Sequence, residues 1–295
     1  MVEIPVYLLA QVFLWGLING SIYVLLAAGL AIIFGVMKVI NFAHGELMII
    51  GAYLTFFASL YTGLNPYIAM LISVAGVAGV GVIVQRFGFG KIRGAAKINE
   101  IFLSIALILI FQNLMGTLII PYFKDPVLIK SPLAGKVLRL GIINIRYDFI
   151  TMIAITWSVM ALLFFFLKKT DTGRSMRAVS QNRVAAQLMG VNVDRIDIIS
   201  FAMGSTLAAV AGSLLGLITP FDPYTGTLPA IKAFAIIILG GLGSVLGAVV
   251  GGLIYGIAEG FAVFFLGGAW RDTVAFAILI LVLLFRPEGL FREGA

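Results

Sequence analysis

Few residues of this chain could do chemistry at membrane depth. The run Asn41-Phe42-Ala43-His44-Gly45-Glu46 holds the single histidine beside an amide and a carboxylate, with apolar segments on both sides. Ionisable groups are costly in hydrocarbon and, where they occur, face a cavity or a protein partner. At an interface turn this cluster is a polar cap for the next helix. Inside, at a broken helix, it offers free backbone groups and polar side chains to a passing solute. Glu259, between Ala258 and Gly260 in an apolar run, is the other candidate buried charge, and Lys232 matches it in depth as a counter-ion. A different chemistry attaches to Lys168–Asp197, which carries six of the twenty basic residues and three carboxylates. Such a cationic, helix-sized segment between apolar runs reads as a docking surface for something soluble, or as an element lying on the membrane surface.

Equally informative is the chemistry that these residue types exclude. The chain has no cysteine, which removes disulfides, thiol nucleophiles and thiolate metal sites. A phosphate-binding loop needs Gly-Lys followed by Ser or Thr. The Gly-Lys pairs here continue as Gly90-Lys91-Ile92 and Gly135-Lys136-Val137. There is no zincin spacing and no Gly-x-Ser-x-Gly, so no catalytic residue, metal or cofactor is expected, and an intramembrane enzyme is disfavoured. The net charge of +7 is the ordinary positive-inside excess and not the footprint of a nucleic-acid binder.

The elements that must position these residues are membrane helices. The 295 residues are 61% hydrophobic and 11% charged, against about 25% charged in globular domains. Charge-free runs such as Ile4–Met37, Leu47–Gln85, Ile198–Phe221 and Ala233–Ala258 set out the spans. A helix crosses hydrocarbon with roughly 20 residues. Leu47–Gln85 is therefore two spans, divided at Asn65-Pro66. The fold class is an all-α polytopic membrane protein of about eight or nine helices, some short or broken, in a single transmembrane domain over 1–295. Ile4–Met37 is overlong for one span, so tilt or a break near Gly16–Ser21 must absorb the excess. The segment 229–241 is short enough for a half-span turning at Gly240-Gly241-Leu242-Gly243-Ser244. Arg86, Lys91, Arg93 and Lys97 form one basic loop and Lys168–Arg195 another, two spans apart, so both face the cytoplasm with the tail of Arg286 and Arg292. The loop 122–147 is then external despite Lys124, Lys130, Lys136, Arg139 and Arg146.

Local signals refine this layout. Val137–Leu140 and Ile143–Tyr147 alternate across Gly141 as a short hairpin, either a lid on the bundle or a contact for an external protein. In the cytoplasmic loop 168–197, Asp171 and Thr172 precede a helix expected to start near Ser175. Gly190 suits its left-handed close, and Asn192 can cap the next span. Gly204, Ala208, Gly212 and Gly216 recur every four positions, as do Gly252, Gly256 and Gly260. These stripes let helices approach closely, within one subunit or across a dimer.

Four ordered motifs resemble one family. They are Ile40–Glu46; Gly173-Arg174-Ser175-Met176-Arg177-Ala178 with Asn182, Ala186 and Gly190-Val191-Asn192; Lys232-Ala233-Phe234 followed by Leu239–Ser244; and Arg286-Pro287-Glu288-Gly289-Leu290-Phe291-Arg292. Together they are similar to the permease subunit of bacterial high-affinity branched-chain amino acid ABC importers, the LivH type. The resemblance implies an importer-permease architecture in a bacterial or archaeal plasma membrane. It further implies a second related permease, two cytoplasmic ATP-binding subunits and a periplasmic or lipid-anchored substrate-binding protein. Asn41, His44, Glu46 and Glu259 would lie along the substrate path. Arg174, Arg177, Ala178, Asn182, Ala186 and Gly190 would lie where the loop meets an ATPase groove. The expected cargo is Leu, Ile or Val; urea, short amides or other amino acids fit the same architecture. An autonomous carrier using His44, Glu46 and Glu259 as an ion relay, and a scaffold without transport, are the readings from other classes.

Overall fold

The computed structural model describes residues 5–119, 126–140, 143–286 and 289–291. Lys124, Gly141, Pro287, Glu288 and Arg292, which figured in the loop, hairpin and terminal motifs, lie outside them. Eight helices among the described residues are long and apolar enough to cross a bilayer, and a ninth is shorter. In order they are α1 (Val6–Met37), α2 (His44–Thr62), α3 (Pro66–Val84), α4 (Lys97–Ile119) and α5 (Tyr147–Lys169). The short helices α6 (Asp171–Gln181) and α7 (Arg183–Leu188) follow. After them come α8 (Val193–Gly216), α9 (Thr227–Gly240), α10 (Val245–Leu266) and α11 (Arg271–Phe285). A π-helical turn, Gln85–Phe89, extends α3.

Asn65 and Pro66 divide α2 from α3 as expected: Pro66 is the first residue of α3, and the Asn65 side chain accepts from Tyr67 N. By contrast, α1 does not break at Gly16–Ser21. It is one helix of 32 residues, about 48 Å long at 1.5 Å per residue. The glycines there serve a neighbour and not a kink. A Cβ on Gly16 would fall 2.7 Å from Ile257 Cα, and one on Gly256 2.4 Å from Gly20 Cα. The stripe on α10 therefore seats α10 against α1. The stripe on α8 likewise packs inside this subunit, Gly204 against Gly29 and Gly212 against the Met48 carbonyl.

Contacts between loops fix which ends coincide. Arg93, from the loop before α4, forms ion pairs with Asp194 and Asp197 at the start of α8. The two basic loops therefore share one end, as their two-span spacing requires. At the other end, Val127 and Phe221 exchange backbone hydrogen bonds of 3.0 and 2.9 Å. There β1 (Val137–Leu140) and β2 (Ile143–Arg146) form the antiparallel hairpin, with Val137 opposite Arg146. Tyr147, expected in the second strand, instead opens α5, whose first turn carries Asp148 at the positive helix end.

Candidate functional site: a buried polar turn and a helical foot

The Asn41–Glu46 cluster lies inside the bundle. Lys38 closes α1 in the left-handed conformation, φ 56°, and the chain folds back along it. His44 is fully buried and its Nε2 is 3.2 Å from the Leu26 carbonyl oxygen. Leu26 lies eleven residues before the end of α1, so the His44 ring meets α1 about 16 Å inside that end. Two glycines make the fold-back possible. Gly29 leaves space for the imidazole, because a Cβ there would sit 3.0 Å from Nε2. Gly45 crosses the start of α9, because a Cβ would lie 2.0 Å from the Gly226 carbonyl.

This crossing brings the first turns of α2 and α9 together. Ala43 and Gly226 precede them without a side-chain cap, so both helices present uncapped, positive N-terminal ends. Glu46, 1% exposed, sits in the first turn of α2, where a carboxylate is favoured by the helix dipole. Its Oε1 accepts from Gln112 Nε2 at 3.0 Å, and the same amide donates to Thr227 Oγ1 at 3.1 Å. Asn41 Oδ1 accepts from Ala43 N at 3.1 Å. Asn41 Nδ2, His44 Nδ1 and Glu46 Oε2 are buried without a hydrogen-bond partner. The cluster leaves a donor, an acceptor and an imidazole nitrogen unsatisfied between two helix starts. Gln112, 66 residues from Glu46, carried no sequence signal of its own; its pairing depends on the bundle.

Glu259 belongs to a second polar group farther along α9. Lys232 Nζ is 2.9 Å from Glu259 Oε1 and 2.7 Å from Asp272 Oδ1, while Arg271 Nε reaches Glu259 Oε1 at 3.1 Å. Tyr23 OH stands 3.4 Å from Lys232 Nζ. The expected counter-ion is therefore in place, joined by two charges from the start of α11. This alternating arrangement compensates buried charge and ties α1, α9, α10 and α11 together.

The foot formed by loop 168–197 is two helices rather than one. α6 begins at Asp171, four residues earlier than expected, because Thr170 is the cap and accepts from Gly173 N at 3.0 Å. Gly173 lies so near the end of α5 that a Cβ would meet the Phe166 carbonyl at 2.4 Å. α6 buries Gly173, Met176 and Val179 and exposes Arg174, Arg177 and Ala178. Arg174 pairs with Asp171 on this open face. Asn182 ends α6 and caps α7, accepting from Ala185 N at 3.0 Å. Ala186 turns inward at 5% exposed, while Asn182 and Gly190 are exposed. Gly190 takes φ 85°, and Asn192 caps α8, as the sequence suggested. Missed were Val184, Leu188 and Met189, which stand 68%, 82% and 85% exposed at the polar end of the molecule. Missed too was the clamp of Asp197, whose buried carboxylate receives Arg93 and Arg183 together.

A bundle of membrane helices with a buried discontinuity and an exposed helical foot defines a class, the multi-pass transport subunit. The fold is shared with PsaBC from Streptococcus pneumoniae in complex with Fab, at TM-score 0.51 and 12% identity over 93% of this chain and 91% of that one. Residues 12–283 match the family described as branched-chain amino acid transport system / permease component, and the chain belongs to it. It is 33% identical to the high-affinity branched-chain amino acid transport system permease protein BraD of Pseudomonas aeruginosa, over 98% of this chain and 97% of the relative. It is 34% identical to the corresponding protein LivH of Escherichia coli strain K12, with the same coverage. The chain is accordingly a multi-pass permease subunit of the plasma membrane.

Proposed function

We propose that this chain is the permease of an ATP-binding-cassette importer that carries leucine, isoleucine and valine inward. The observation that carries the reading is family membership along almost the whole chain. The site adds a chemical reason. A zwitterion's carboxylate suits the paired positive ends of α2 and α9, and its ammonium suits the unpaired oxygen of Glu46. Asn41 and His44 shape this stretch of the path, and Glu259 braces it through Lys232. Hydrolysis is assigned to two separate ATP-binding subunits that grip the α6–α7 foot through Arg174, Arg177, Ala178, Asn182 and Gly190, with Ala186 packed behind. The exposed Val184, Leu188 and Met189 supply the apolar centre such a groove needs. A second, related permease is assigned to the open face of α4, where Asn113, its Nδ2 donating to the Leu109 carbonyl at 2.7 Å, stands exposed among Leu109 and Leu114 as a polar group costly to leave against lipid. A periplasmic or lipid-anchored binding protein delivers the cargo to the hairpin end.

The test is purification of the tagged chain in gentle detergent with its partners, followed by reconstitution. Co-purifying ATPase subunits and ATP-dependent leucine uptake are the expected result. A chain that elutes alone and transports in vesicles without ATP overturns the reading in favour of an autonomous carrier.

A further inference from the structure

At the cytoplasmic end a cavity of about 420 Å³ separates the end of α1, the loop before α4, the close of α6 and the start of α8. Its size is in the range of small-molecule sites. Its lining combines three chemistries. Lys38, Arg93, Lys97 and Arg183 are cationic, Glu100 and Asp197 anionic, and Val36, Phe89 and Val179 apolar and buried. Asp197 is the decisive residue. Both arginines reach its Oδ2, whereas Oδ1 is buried with no hydrogen-bond partner. A buried carboxylate oxygen without a donor is costly and calls for an N–H group. Four cations against two carboxylates leave room for a carboxylate at Lys97, while Glu100 and the unpartnered Asp197 Oδ1 call for a cationic donor. A small molecule with both charges and an aliphatic tail satisfies all three linings.

We infer that this cavity is a cytosolic site for a free aliphatic α-amino acid, distinct from the Asn41–Glu46 stretch of the path. The ammonium bonds Asp197 Oδ1 with Glu100 nearby, the carboxylate faces Lys97, and the side chain packs on Val36 and Phe89. The site rests on the cargo proposed above, and it gives that cargo a second role. Its walls are the two loops that Arg93 and Arg183 clamp together through Asp197. An occupant therefore stiffens the base of the α6–α7 foot, and accumulated product slows the cycle.

The experiment uses the reconstituted importer in phosphatidylcholine nanodiscs, without its external binding protein, titrated with tritiated leucine. Saturable binding is expected, weakened at least tenfold by Lys97→Gln and by Glu100→Gln and unchanged by Glu46→Gln. Val36→Trp, which fills the apolar wall without touching a charge, gives the same loss. Absence of saturable binding overturns the inference. So does binding that follows Glu46→Gln and ignores the cavity variants, because leucine then sits in the path. Stabilisation by phosphatidylglycerol that depends on Lys97, without leucine binding, overturns it as well and assigns the cavity to a lipid headgroup. ATP-driven leucine uptake with the binding protein is read separately. Uptake without cavity binding removes this inference alone; cavity binding without uptake removes the cargo reading alone.

Discussion

At the scale of single residues, the molecule holds its ionisable groups in two different ways, and each predicts a different phenotype. Glu46 is held by one amide and keeps a free oxygen. Glu46→Ala is expected to lower uptake more than tenfold while the amount of inserted protein stays near wild type. Comparison of vesicle uptake with membrane abundance decides it, and unimpaired uptake would reduce the cluster to a helix-start cap. Glu259 also keeps one unpartnered oxygen, but its Oε1 meets two cations, Lys232 and Arg271, and Lys232 is shared with Asp272. Lys232→Met leaves Glu259 with Arg271 alone, and breaking a buried pair costs roughly 3–5 kcal/mol. The double variant Lys232→Met, Glu259→Leu is expected to recover part of that loss, since it removes the buried carboxylate that the single change leaves short of a partner. Melting of the four proteins in detergent closes the cycle; strictly additive losses would show that the pair is not coupled.

Among the elements, what was legible followed from how local each signal is. Gly190 and Asn192 act on backbone within three residues of themselves, so their roles could be read from order alone, whereas the cap that Asn182 gives α7 went unread because the loop was taken as one helix. The start of α6 was misjudged because Thr170, Asp171 and Thr172 are all competent caps, and close packing of Gly173 on α5 chooses among them. Arg93 and Asp197 are 104 positions apart, and no local pattern announces their pairing. The apolar tip of the foot was hidden for another reason. In a chain this hydrophobic, Val184, Leu188 and Met189 read as core or lipid-facing until the fold sets them beside water. The foot makes a sharp prediction. Arg177→Glu, or Leu188→Asp, is expected to leave ATP hydrolysis measurable but no longer linked to uptake, with insertion intact. Gly190→Glu adds about 1–2 kcal/mol of left-handed strain to the same defect. Substrate-stimulated turnover at the normal level in all three would remove the foot from the coupling route.

For the whole molecule, the close-packed glycine stripes decide where a second permease can sit. Both stripes were open to two readings, packing within the subunit or across a dimer, and both are consumed internally, α8 by α1 and α2, α10 by α1. The long α1 is the common partner, which explains why it stays straight through Gly16 and Gly20: a kink would separate it from α10 along their shared seam. Surfaces left for a partner are the outward faces of helices such as α4, which are large and apolar and carry few small residues. Gly256→Leu is then a folding defect and not an assembly defect. Its side chain would have to enter where Gly20 Cα already stands 2.4 Å from a Cβ position, and overpacking of this kind costs typically 1–3 kcal/mol or more. The expected result is a lower yield of monodisperse subunit on size-exclusion chromatography, with a normal ratio of uptake to hydrolysis in the fraction that folds. Ala substituted for Leu109 on α4 is the contrasting change, expected to leave yield intact while loosening the association of the two permeases. If Gly256→Leu instead gave full yield and lost the second permease, the stripe on α10 would belong to the interface after all, and the seam with α1 would not be what holds the bundle together.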